Sequence, residues 1–121
     1  MPEHGAELAA EDEKLVVLAR SARARTQAEE GAAVRDTDGR TYAASTVRLP
    51  SFALTALQAA VAAAVSSGAE GLEAAVVVSE RPLFDQASVH ALRDVAPRAS
   101  IVRADPSGAV QEVLRLDGTD G

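Results

Sequence analysis

Side chains able to do chemistry are few and scattered along this chain of 121 residues. Cysteine is absent, which removes disulfides, thiolate nucleophiles and any Cys-ligated metal. Of the two histidines, His4 falls in an acidic leader, and His90 falls on a helical stretch where a surface or satisfied interface role is the plainer reading. Asp36 and Asp38 have the look of metal ligands, but a calcium-binding loop needs further oxygen donors at fixed positions and none follow. They read instead as turn formers. Arg20, Arg23 and Arg25 could face a phosphate, yet three cations closing a helix match the negative end of its dipole and are accounted for as a solvated terminus. Ser51, Ser66, Ser67 and Ser88 stand at caps, turns or helix faces, where structural serines belong. No nucleophile elbow, phosphate loop or HExxH pair is present.

Composition narrows the field further. A net charge of −6 argues against a general nucleic-acid binder, which would concentrate positive charge against phosphates. The only rings are Phe52, Phe84 and Tyr42, so the core must be built from Ala, Val and Leu. Small side chains favour closely packed layers over a roomy pocket or a base-stacking surface. No segment is long and apolar enough to span a bilayer, and the start Met1-Pro2-Glu3-His4 lacks the apolar core of a signal peptide. A cytoplasmic location is the expectation.

The elements that would position these residues follow from periodicity. Residues 1 to 10 read as a flexible leader, 11 to 116 as one domain and 117 to 121 as a disordered tail. A helix begins at Glu11-Asp12-Glu13 and runs to about Arg25, with Leu15, Leu18, Ala19 and Ala22 toward the core. Gly31 to Arg35 and Arg40 to Thr46 are two strands joined by a turn carrying Asp38-Gly39, a strong hairpin signal. Leu49-Pro50-Ser51 breaks the second strand, and Ser51 offers an N-cap for a helix over 53 to 65. In that helix Leu54, Leu57, Val61 and Val65 form an apolar stripe, while Ala59, Ala60 and Ala63 keep the remaining surface thin enough for a second copy of the chain to approach. Glu73 to Ser79 reads as a central strand covered on both faces. Asp85 to Val95 reads as a helix stopped by Pro97, and Ser100 to Ala104 and Val110 to Leu116 as a closing hairpin. The fold class is α/β in three α/β/α layers on a mixed sheet of about five strands. Its order is helix, strand, strand, helix, strand, helix, strand, strand, and right-handed crossovers put the later two helices on one face and the first on the other.

Over about residues 12 to 116 that order resembles the short, oligomeric cytidine deaminases. Gly31-Ala32-Ala33-Val34 with Asp38-Gly39-Arg40 looks like the family's first hairpin, Ala59 to Gly68 like the body of its first zinc-site helix, and Leu92-Arg93-Asp94-Val95-Ala96-Pro97 like the end of its second. The resemblance is closest to short actinobacterial chains that lack the zinc and catalytic motifs. The family's chemistry implies a zinc-bound water held by a His or Cys and two further Cys, with a Glu moving protons. Here the Cys/His-Ala-Glu motif falls on Thr55-Ala56-Leu57, and the Pro-Cys-x-x-Cys motif on Phe84-Asp85-Gln86-Ala87-Ser88. Asp85 and Ser88 thus stand where thiolates should, Thr55 in place of the first ligand, and Leu57 in place of the proton-transfer carboxylate. The sugar-contacting Asn-Val-Glu looks like Thr46-Val47-Arg48, which exchanges a carboxylate for a cation.

The resemblance therefore implies a homo-oligomer, dimer or tetramer, with no cofactor, no metal and no catalytic residues. The reading is an inactive deaminase-fold protein with a structural or regulatory role, associating through Ala59, Ala60 and Ala63, with room for a further protein partner of unknown identity. The alternative is a module that binds a nucleoside or nucleotide without reacting it, with Thr46 and Arg48 as ligand contacts, Arg48 meeting a phosphate. An active deaminase ranks third.

Overall fold

A computed structural model describes residues 8 to 116. Most of the expected leader and all of the expected tail lie outside the described residues. Helix α1 spans Ala10–Thr26, with acids Glu11, Asp12 and Glu13 in its first turn and Arg23 and Arg25 in its last. It ends where Gln27 turns left-handed at φ 54°. Strands β1 (Glu30–Asp36) and β2 (Thr41–Ser45) form the hairpin signalled by Asp38-Gly39, with Gly39 at φ 90°. Two further short strands, β3 (Val47–Leu49) and β4 (Phe52–Leu54), pair only with each other. Helix α2 spans Ala56–Ser66, strand β5 Leu72–Ser79, helix α3 Gln86–Val95, and strands β6 (Ser100–Ala104) and β7 (Val110–Arg115) close the chain.

The main sheet has five strands in the order β2-β1-β5-β6-β7, and only β5 and β6 run parallel. Alternation along the strands sorts side chains between two cores. Ala32, Val34, Ala75, Val77 and Ile101 face α2 and α3, whereas Ala33, Val76, Val78, Val102 and Ala104 face α1. The expected three layers and the division of helices between the faces are both present. Helix α1 comes into backbone contact with β1, since a Cβ on Gly31 would stand 2.1 Å from the Ala19 carbonyl oxygen and 2.8 Å from the Arg23 nitrogen. Among the described residues no helix is long and apolar enough to cross a membrane.

Three local expectations are corrected. Ser51 does not cap α2; it sits with Pro50 in the turn of the β3–β4 ribbon. Thr55 is the cap, its hydroxyl accepting from the Gln58 N–H at 3.1 Å while the Gln58 side chain returns a bond to the Thr55 N–H at 2.9 Å. The helix consequently begins three residues later than the apolar run, and Leu54 belongs to a strand. Its inner face is Ala56, Leu57, Ala60, Val61 and Ala64, while Val65 is 49% exposed. Leu57 and Val61 keep their expected inward positions, and alanines at 56, 60 and 64 complete the stripe in place of Leu54 and Val65.

Candidate functional site

Helices α2 and α3 bring their amino ends together beside the carboxyl end of β5. Thr55 caps α2, and Asp85 caps α3 by accepting from the Ala87 N–H at 2.8 Å. One turn into α3, the buried Ser88 hydroxyl donates to Thr55 Oγ1 at 2.7 Å, tying the two helices at this point. Leu57 lies fully within the core shared by these helices and the sheet, so it does not reach the surface of the site.

Next to this pair opens a cleft of about 170 Å³ lined by Thr46, Arg48, Leu54, Thr55, Arg81 and Asp85, together with Glu29 and Glu30. The structure thus gathers four of the sequence-derived positions, Thr46, Arg48, Thr55 and Asp85, around one opening, with Ser88 just behind Thr55. Thr46 is held against the start of β1, its hydroxyl accepting from the Glu30 N–H at 3.0 Å. Arg48 is ion-paired with Glu29. That carboxylate also stands 3.7 Å from Arg81, which reaches Asp85 at 3.9 Å. An Arg48–Glu29–Arg81–Asp85 chain of charges therefore rims the cleft.

Glu30, Glu29 and Arg81 are the site residues that sequence reasoning missed. In the sequence Glu29 and Glu30 lie between the end of the expected first helix and Gly31, where the first strand is expected to begin. The available signal was alternation, because Glu30 shares its strand face with Ala32 and Val34 and so points toward α2 and α3. Its cross-strand neighbour is Ser79 on β5, on the same face. Burial pushes the Glu30 carboxyl above its ordinary pKa, against the opposing pull of the Ser79 hydroxyl and the Arg81 charge.

The remaining candidates lie elsewhere. Ala60 is fully buried inside this chain's own core, while Ala59 is half-buried and Ala63 exposed on the outer side of α2. The Asp36 carboxylate, resembling a ligand in the sequence, is consumed by the Tyr42 hydroxyl at 2.8 Å and by the Asp38 and Arg40 N–H groups, each at 2.9 Å. His90 is exposed on α3.

No match is found among curated proteins. Among solved structures, the chain is similar to a cytidine deaminase from Burkholderia pseudomallei, with TM-score 0.74 and 21% identity over 85% of this chain and 91% of that one. It is also similar to a mutant cytidine deaminase from Mycobacterium tuberculosis, with TM-score 0.68 and 23% identity over 91% and 93%. A cytidine deaminase from Mycobacterium leprae gives TM-score 0.65 and 23% identity over 86% and 93%. At these identities the likeness concerns the fold. A family model described as Cytidine deaminase-like matches residues 8–108, nearly the whole described chain, and the protein belongs to that family.

Proposed function

We propose that this chain has kept the deaminase-like fold while giving up its metal chemistry, and that it serves as a structural or regulatory subunit. The observation that carries this reading is the direct hydrogen bond between Ser88 and Thr55. Zinc takes its protein ligands at roughly 2.0–2.3 Å, set apart around the ion in a tetrahedron, and it favours thiolate and imidazole. Here two neutral hydroxyls meet each other at 2.7 Å, and the Thr55 oxygen additionally accepts a helix N–H. One Asp85 oxygen is spent on the Ala87 N–H, and the side chain at 57 is an apolar one inside the core. This donor set does not suit zinc. Elemental mass spectrometry of untagged protein should find background zinc, and cytidine should not be turned over. About one zinc per chain with measurable deamination would overturn the proposal.

Self-association through the outer side of α2 is part of this reading, and Ala59 and Ala63 are the small residues that remain available for it. A second reading is supported by the cleft itself, whose lining gathers Thr46, Arg48, Thr55 and Asp85 around space for a small molecule. In that reading the chain binds a nucleoside-sized ligand without reacting it. A thermal-shift screen tests it, since a bound ligand raises the melting temperature by mass action.

A further inference from the structure

The charges of the cleft select among small ligands. Its lining holds three carboxylates, Glu29, Glu30 and Asp85, against two guanidinium groups, Arg48 and Arg81. Both guanidinium groups are already committed to the rim, Arg48 to Glu29 and Arg81 to Glu29 and Asp85. A phosphate that displaced the rim pairs would still face an excess of carboxylates, three to two guanidinium groups. Glu30 is in the opposite situation. It is 6% exposed and lies on the sheet face that looks toward the cleft's helices. The Ser79 hydroxyl is its one side-chain hydrogen-bonding neighbour. Among the described residues no Lys, Arg or His comes within ion-pairing distance of it. An ionised carboxylate can accept about four hydrogen bonds and is costly to bury without a cation. The rim charges are partly exposed and form weak pairs, so they can part for an entering ligand.

We infer that the cleft takes a small organic cation, an alkylamine or an alkylguanidine, whose charged head meets Glu30 between Thr46 and Thr55. This rests on the reading of the cleft as a ligand site and gives that ligand a charge. The head group supplies donors to Glu30 beyond the single Ser79 hydroxyl. A short alkyl tail would lie against Leu54 and Ala53, which line the same opening. The proposal differs in sign from the nucleotide reading, in which Arg48 would be the anchor.

The test is a titration of isotopically labelled protein, followed by amide NMR shifts, with methylguanidine and n-butylamine as monocationic probes. Cytidine and cytidine 5′-monophosphate serve as neutral and anionic probes, and tetramethylammonium at equal ionic strength as a cation without donors. The expected result is saturable shifts at Glu30, Thr46 and Thr55 for the two hydrogen-bonding cations and none for tetramethylammonium. Glu30→Gln should weaken them about tenfold or more, the loss of a hydrogen bond to a charged group, while Glu11→Gln on α1 leaves them unchanged. Equal affinity for the Glu30→Gln variant would overturn the inference. If cytidine or its monophosphate saturates the cleft and the amines do not, the inference fails while the cleft remains a ligand site. If none of the probes binds, both readings fall.

Discussion

Replacing Thr55 by Val removes one hydroxyl while keeping its shape, and the structure says how much should be lost. Thr55 Oγ1 accepts from the Gln58 N–H at the start of α2 and from the Ser88 hydroxyl on α3. Losing an N-cap acceptor costs about 1 kcal/mol, within a range of roughly 0.5–2. Leaving the Ser88 hydroxyl, 2% exposed, without its acceptor adds about 1–3 kcal/mol. The variant should therefore be about 2–4 kcal/mol less stable, which for a chain of this size is a fall in Tm of about 8–16 °C. Ser88→Ala should cost only about 1 kcal/mol, because Thr55 keeps its helix N–H. In the Thr55→Val, Ser88→Ala double variant the two losses should not add, the shared bond giving a coupling of about 1 kcal/mol. Urea unfolding of the four proteins, in chelator and again with added zinc, measures all of this. Equal losses for the two single variants, or a zinc-dependent stabilisation confined to chains retaining Thr55, would refute the view that this pair is a helix-to-helix tie.

Three further outcomes are expected. Burial holds Glu30 above its unfolded pKa, so the folded state prefers the protonated form; the stability this gives is complete below the unfolded value and is lost as pH rises through the folded one. Glu30→Gln imitates the protonated form, so its Tm should exceed that of the parent at pH 7, and the gap should close as thermal melts are repeated toward pH 4. Gly31→Ala places a methyl against the α1 backbone and should cost about 3 kcal/mol or more, a fall in Tm of roughly 10 °C or greater in calorimetry. Ala63→Leu, on the exposed side of α2, should change the oligomer size seen by light scattering with little effect on unfolding of the fold itself; Ala60→Leu should instead overpack the core by about 1–3 kcal/mol.

The layers were legible in the sequence because apolar periodicity was strong. The unbroken run ending in Val76-Val77-Val78 could only be a strand covered on both faces, and Asp38-Gly39 announced its hairpin. The start of α2 was misplaced because Phe52-Ala53-Leu54 has the same apolar content as the helix that follows. Only the reciprocal Thr55–Gln58 capping bonds separate them. Composition does not tell which alanines face inward until that boundary is known, and it leaves Ala60 indistinguishable from Ala59 and Ala63 although Ala60 is fully buried. At the site, Thr46, Arg48, Thr55 and Asp85 were found through the family resemblance, whereas Glu30 escaped because acidic residues at a strand entrance usually face water. Its burial depends on a cross-strand neighbour 49 positions later, Ser79, and such a pairing has no local trace.

The sheet order also sets a hierarchy of opening motions. Strand β5 is hydrogen-bonded along both edges, antiparallel to β1 and parallel to β6, and is covered by helices on both faces. Its amides should exchange with deuterium only through global unfolding, whereas those of the three-residue strands β3 and β4, paired only with each other, should exchange through local fraying. The floor of the cleft, where Glu30 meets Ser79, is therefore anchored in the slowest part of the backbone, and the rim that carries Arg48 belongs to the fastest. The rim can therefore open on the timescale of a fraying ribbon without disturbing the strand beneath it.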